Sequence, residues 1–164
     1  MRRHAFVVMP FGKKPIDHLG IEPSDKEELM IDFDHVYEEL LCPALIKAGC
    51  DVQRADNDSV AGDIRTQVLF ELITADIVIA DVSTSNPNVF YELGLAHALG
   101  KDAFLLKQRD RKLPADFGGA HYHEYDLQSL NRARKWLSAE LVSWAKKNRS
   151  AEVKTIRTQK RRMR

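Results

Sequence analysis

The run Asp76-Ile77-Val78-Ile79-Ala80-Asp81 sets the terms on which this chain can fold. Four apolar residues in a row between two carboxylates show no alternation, so neither face of such a strand can meet water. A strand of that kind belongs at the centre of a parallel sheet with helices above and below. The rest of the chain supplies the neighbours. Arg3 to Met9, with Ala5-Phe6-Val7-Val8-Met9 closed by Pro10-Phe11-Gly12, reads as a first buried strand. Cys50 to Arg54, Ala103 to Leu106 and His121 to Tyr125 read as three more, the last at an edge.

Helical periods lie between these strands. Met30, Phe33, Tyr37, Leu40, Leu41 and Leu45 recur at three and four, which predicts a helix from Glu27 to Ala48 with Gly49 as its stop and a kink at Pro43. Ser59 to Thr74, Pro87 to Leu99 and Leu127 to Trp144 are the other expected helices. Lys13 to Lys26, Ser83 to Asn86 and residues 108–120 read as loops. Strict strand–helix alternation predicts an α/β fold, a three-layer sandwich with a flavodoxin-like parallel five-stranded sheet in the order 2-1-3-4-5. Ligands of such sheets bind beyond the carboxyl ends of the strands, near the reversal of strand order. The polar residues of interest follow the first and third strands.

Charge divides the chain in two. Residues 1–145 hold 16 Lys or Arg against 23 Asp or Glu, whereas residues 146–164 hold nine against one. The expected organisation is therefore a domain over 1–145 and a basic C-terminal tail over 146–164. The tail is expected to be solvated and dispensable for folding. Nucleic-acid contact is its alternative use, without base stacking, because no aromatic interleaves its charges. No apolar stretch is long enough for a membrane span or a signal peptide, and two cysteines, Cys42 and Cys50, make neither a zinc site nor a disulfide framework. The expected setting is cytoplasmic. No Walker loop or Gly-x-Gly-x-x-Gly is present, and no cofactor or metal is expected. His121 and His123 share a strand face without a third ligand, and read as a surface pair.

The stretch from Asp81 to Gly94 carries the chemistry. Asp81 closes a buried strand, and Glu92 lies in the first turns of the following helix. With Asn86 as cap Glu92 is N6, and with Asn88 as cap it is N4, so it misses the capping-box position. A glutamate held among Phe90, Tyr91 and Leu93 suits attack on an anomeric carbon, meeting the positive charge that develops as a glycosidic bond breaks. Asp81 could bind a sugar hydroxyl or assist the leaving base. The plainer alternatives are an exposed helix glutamate and a turn-forming aspartate. Asn86 and Asn88 either cap the helix or touch a ligand, and Tyr91 either closes a pocket or packs in the core, the reading favoured here. Gly94 costs about 1 kcal/mol relative to Ala inside a helix; close packing of helix on sheet is its expected reason, and a ligand approaching the backbone near Glu92 is the alternative.

The segments Ala75 to Asp81 and Asn86-Pro87-Asn88-Val89-Phe90-Tyr91-Glu92-Leu93-Gly94, running on to Lys101, resemble the nucleoside 2-deoxyribosyltransferase superfamily, which neighbours the TIR-like domains. Met9-Pro10-Phe11 after the first strand and Arg54-Ala55-Asp56 after the second are similar to its bacterial Met-Pro-Phe branch. The resemblance covers about residues 4–107. It implies that the 1–145 domain cleaves or exchanges the base–sugar bond of a nucleoside, nucleotide or NAD-like substrate. It implies Glu92 as nucleophile, a matching carboxylate at Asp81, and sugar-bordering residues at Pro10, Phe11 and Gly12. The helix aspartate of well-studied members falls on Val68, so Asp63 or Asp56 would have to replace it, or the chemistry differs. The resemblance also implies a homo-oligomer whose neighbouring subunit completes the pocket, with Trp136 and Trp144 of the last helix able to supply part of the interface. Glu92 is thus expected to face a pocket bordered by Pro10, Phe11, Asp81 and Asn88. The alternative is a non-catalytic nucleotide-sensing or protein-assembly module of the same fold.

Overall fold

The computed structural model describes residues 2–15, 30–55, 64–109 and 122–162, with side chains as far as residue 148. Its elements are β1 (Arg3–Val8), β2 (Lys13–Pro15), β3 (Met30–Asp32), α1 (Phe33–Val36), a π-helical turn (Tyr37–Leu41), α2 (Cys42–Lys47), β4 (Cys50–Arg54), α3 (Ile64–Thr74), β5 (Ile77–Asp81), α4 (Pro87–Ala98), β6 (Ala103–Gln108), β7 (Tyr122–Tyr125), a 3-10 turn (Leu127–Ser129) and α5 (Leu130–Arg162). The main sheet runs β4-β1-β5-β6-β7, with every neighbouring pair parallel. In the numbering of the five expected strands this is the order 2-1-3-4-5. β5 is buried along its whole length, as its unbroken apolar run requires.

The strands sort their side chains between two cores. Ala5, Val7, Ile77, Ile79, Leu106 and Tyr125 face α1, the π turn, α2 and α5. Phe6, Val8, Val78, Ala80 and Leu105 face α3 and α4. Alternation along β5 therefore sends Asp81 toward the α2/α5 layer, and its bond to the Tyr125 hydroxyl agrees.

The expectations for the first helix and first loop need correction. Met30–Asp32 is a strand paired antiparallel with Lys13–Pro15, and the helix begins only at Phe33. Asp32 caps it, its side chain accepting from the His35 amide. Met30 falls three residues before Phe33, so it imitates the helical period without belonging to it. The kink expected at Pro43 becomes the π turn just ahead of it. Proline has no amide to give the Glu39 carbonyl. Arg134 of α5 takes that carbonyl instead, at 3.2 Å, and the Cys42 amide reaches back five residues to Tyr37.

The last helix also differs. It starts at Leu130, after a turn capped by Asp126, and its backbone continues through the basic segment to Arg162. No glycine or proline interrupts residues 130–162, so nothing local stops it. Trp136 and Trp144 are used within the chain, as docking of this helix on the sheet requires. Trp136 stacks on His123, which itself stacks on Phe104, and the Trp144 indole N–H donates to Asp102. His123 is thus packed between rings, and His121 lies outside the described residues. Cys42 and Cys50 are free thiols. Among the described residues no helix is long and apolar enough to cross a membrane, and no three His, Cys, Asp or Glu residues gather as a metal site.

Candidate functional site

Strand order reverses between β1 and β5, so the segments leaving those strands frame the ligand end of the sheet. The segment after β1 is pinned from three sides. Gly12 takes φ +63°, a left-handed conformation that favours glycine, and turns the chain into β2. Its amide donates to Asp34 Oδ1 at 3.2 Å, and its carbonyl accepts from the Phe33 amide at 3.0 Å. Arg54, at the end of β4, holds the rest. Its guanidinium donates to the Pro10 carbonyl at 2.7 Å, pairs with Asp34 at 2.9 Å, and lies 4.1 Å from the Phe11 ring centre and 5.0 Å from that of Tyr37. The Gly12 amide and the Arg54 guanidinium hold the Asp34 carboxyl below its ordinary range. Pro10, Phe11 and Gly12 are therefore fixed relative to β1 and β4. Arg54, Asp34 and Tyr37 carry that arrangement and were not singled out from sequence. Arg54 had a signal in the Arg-Ala-Asp match, but its partners lie 20 and 17 residues upstream and leave no local pattern.

Asp81 ends β5 with its carboxylate wholly enclosed, at 0% exposure. Oδ1 accepts from the Ser83 amide at 2.9 Å and the Ser83 hydroxyl at 2.5 Å, and Oδ2 accepts from the Tyr125 hydroxyl at 2.7 Å. Ser83 Oγ in turn accepts from the Gln108 amide at 2.8 Å. Burial pushes the Asp81 carboxyl up, and the Ser83 and Tyr125 donors pull it part of the way back. The result is a polar clasp across the ends of β5, β6 and β7.

The start of α4 follows Ser83 to Ser85. Asn86 is its cap, accepting from the amides of Asn88 and Val89 at 3.0 and 3.3 Å, with Pro87 at the first helical position. Glu92 is consequently N6. Its side chain is half-buried, and no described residue offers it a hydrogen bond or an ion pair. Burial alone pushes its pKa up to about 7. Asn88 is exposed. Tyr91 is exposed too, at 64%, and not in the core where it was expected. Val89, Leu93 and Ala96 fill the sheet-facing stripe of α4, and Tyr91 falls outside that stripe. Gly94 is exposed as well, and a methyl group added to it would meet nothing within 4 Å. Packing of helix on sheet therefore does not explain this glycine.

Val68, where the resembling family has an aspartate, lines a cavity of about 10 Å³ with Phe6, Gln53, Arg54, Ala55, Gln67 and Glu71. That is room for about one water. Asp56 and Asp63, the candidate replacements, lie outside the described residues. The structure thus groups Pro10, Phe11 and Gly12 around Arg54, and joins Asp81 to Ser83 and Tyr125. It sets Asn86, Asn88, Tyr91 and Glu92 along the first turns of α4. Asp81 and Glu92 share no hydrogen bond.

These features define an α/β chain of flavodoxin-like topology with its polar segments at the strand ends. Solved structures with the same fold include a CMP N-glycosidase of Clostridium botulinum, BcmB, at a TM-score of 0.54 and 20% identity, covering 82% of this chain and 99% of that one. No protein-family model matches the chain, and no curated protein does.

Proposed function

We propose that this chain cleaves the bond between base and sugar in a nucleoside or nucleotide, as an N-glycosidase of the nucleoside 2-deoxyribosyltransferase-like kind. The observation that carries the reading is Glu92, a half-buried carboxyl without a described partner, in the second turn of α4, the helix that follows β5. A carboxylate that no described residue engages keeps its lone pairs for a ligand. Fold likeness to a CMP N-glycosidase supports a nucleotide as substrate.

In this reading a Glu92 oxygen attacks the anomeric carbon. The carbon–nitrogen bond breaks, its electron pair leaves with the base, and the base takes up a proton. Water then attacks the same carbon and releases the sugar and the Glu92 carboxylate. Pro10, Phe11 and Gly12 border the sugar, and Asn86, Asn88 and Tyr91 flank the entrance. Asp81, wholly enclosed, acts by fixing Ser83 and the strand ends and makes no contact with the sugar. A nucleophile must be ionised, so a pKa near 7 predicts activity that falls about tenfold per pH unit below that value.

The second reading, a binding module without catalysis, is favoured by Val68, which puts an apolar side chain where the family has a carboxylate. Incubation with a panel of nucleosides, nucleotides and NAD, with free base followed by chromatography, separates the two. Base release by the parent chain and not by Glu92→Gln supports the enzyme. Binding without release supports the module, and equal release by both chains defeats the glutamate mechanism.

A further inference from the structure

We infer that the outer face of α5 is a binding surface for duplex DNA, engaged through its phosphates without regard to sequence. The inference goes beyond the proposed glycosidic chemistry and does not rest on it.

Leu130, Ala133, Leu137 and Leu141 form the buried stripe that docks α5 on the sheet, and Trp144 continues it. From Lys146 to Arg162 the backbone goes on as helix over roughly 25 Å. At about 100° per residue, the Lys and Arg positions of this stretch are not scattered round the axis. Of the eight between 146 and 162, all but Arg162 fall within an arc of about 160°. That arc is centred roughly 160° round the helix from the buried stripe, so by register it lies away from the sheet. Arg132 and Lys135, both exposed, lie on the same arc and carry it back along the domain. The two acidic residues of α5, Glu140 and Glu152, fall outside it, and Glu140 pairs with His123 at 3.8 Å. Seven and two make nine positive positions on one line of roughly 44 Å, with no carboxylate among them. Residues 1–145 hold 16 Lys or Arg against 23 Asp or Glu, so this line is no sample of a generally basic surface.

The spacing of these charges calls for a polyanion. Lys154 and Arg157, Arg157 and Lys160, and Arg157 and Arg161 stand three or four apart, where like charges on a helix repel. A row of phosphates turns that repulsion into attraction and releases counterions as it binds. Val153 and Ile156 are the only large apolar residues between 146 and 162, and no aromatic is present there. A protein partner would need an apolar or aromatic anchor, a lipid surface an apolar helix face, and a single strand stacking rings. A bare basic helix about 10–12 Å across matches instead the major groove of B-form DNA, about 12 Å wide, with phosphates along both walls. The narrow major groove of duplex RNA does not admit it.

Fluorescence anisotropy of a labelled, mixed-sequence DNA duplex of about 25 base pairs, titrated with the full chain, tests this. With about six of the nine positions at phosphates, the logarithm of the affinity should fall with that of salt at a slope of about −5. Arg149→Gln with Arg157→Gln should weaken binding at least about tenfold and flatten the slope by about two. Arg162→Gln, the one basic position off the arc, should stay within about twofold of the parent. Thr155→Pro keeps every charge but breaks the helix midway, and should weaken binding at least about fivefold. No binding by the parent, or binding that salt leaves unchanged, overturns the inference. So does an Arg162→Gln loss as large as that of the double variant, or a Thr155→Pro chain that binds like the parent. Tighter binding to the single strand, to the RNA duplex or to phosphatidylserine vesicles than to the DNA duplex overturns it as well.

Discussion

The two helical layers of this sheet are built to different standards. On one side α1, the π turn, α2 and α5 close over a core that reaches from Ala5 to Leu141, and two of the polar groups beside it are answered from distant elements. Asp81 has Ser83 and Tyr125, and the carbonyl left over by Pro43 has Arg134. On the other side α3 and α4 cover a smaller core, leave five large apolar side chains in water and hold Glu92 half-buried without a described partner. The first layer minimises its own free energy. The second retains exposed apolar surface and a half-buried ionisable group. In a sheet of parallel strands both layers are obligatory, so the contrast between them separates a face that is closed from one that is left open.

That comparison can be broken or sharpened by paired measurements. The largest effect is expected on catalysis. Glu92→Gln should lower base release at least about a thousandfold, about 4 kcal/mol of transition-state stabilisation, while its melting temperature stays at or above the parent's. A variant that unfolds instead would place Glu92 among the stabilising residues and erase the distinction. Next comes Leu137→Ala, in the well-built layer. Its side chain is wholly buried, and its loss should cost about 2–5 kcal/mol in urea denaturation. If the activity of the folded fraction changes as much as its stability, the layers are not separable.

Tyr125→Phe should cost less, about 1–3 kcal/mol, by leaving Asp81 Oδ2 without its donor. Its readout is the same denaturation experiment, and a neutral result would show that the clasp is dispensable. The smallest effect is the pH dependence of stability. Folding raises the Glu92 pKa from 4.5 to about 7, so between those values the folded chain holds more protons than the unfolded one. Stability should therefore fall as pH rises through that window and level off above it. Asp81, also raised, adds a slope of the same sign. Thermal melts of the parent and Glu92→Gln from pH 4 to 8 should show a flatter curve for the variant, and identical slopes would contradict burial as the cause.

Short-range pattern made part of this legible in advance. The unbroken apolar run of β5, the turn after β1 and the Asn86-Pro87 entry to α4 each announce themselves within a few residues, and the alternation of strands with helices points to the strand order. What pattern missed depends on pairing across distance. The β2–β3 hairpin joins segments of three residues each, too short for alternation to register, and Met30 sits by accident on a helical period. Arg54 gathers Pro10, Phe11 and Asp34 only because β4 lies beside β1. Packing is the ordinary fate of an aromatic and a small residue on a helix, which makes it the expectation for Tyr91 and Gly94. Their exposure shows only when the stripe formed by Val89, Leu93 and Ala96 is seen to exclude them.

The place of β1 also governs how the chain comes into being. This strand precedes both of its neighbours in the chain, yet it lies inside the sheet, between β4 and β5. At roughly 5–20 residues per second, the stretch of about 70 residues from β1 to β5 takes several seconds to synthesise. Until β4 arrives Ala5 to Met9 is an apolar segment with both edges open, and until β5 arrives one edge stays open, the kind of template that other chains can pair with. Lys13 and Lys14, just behind it, and Arg2 and Arg3, just ahead, bracket the segment with positive charge. Charges in such flanking positions are the pattern by which sequences discourage association of an unavoidable apolar strand until its neighbours claim the two edges.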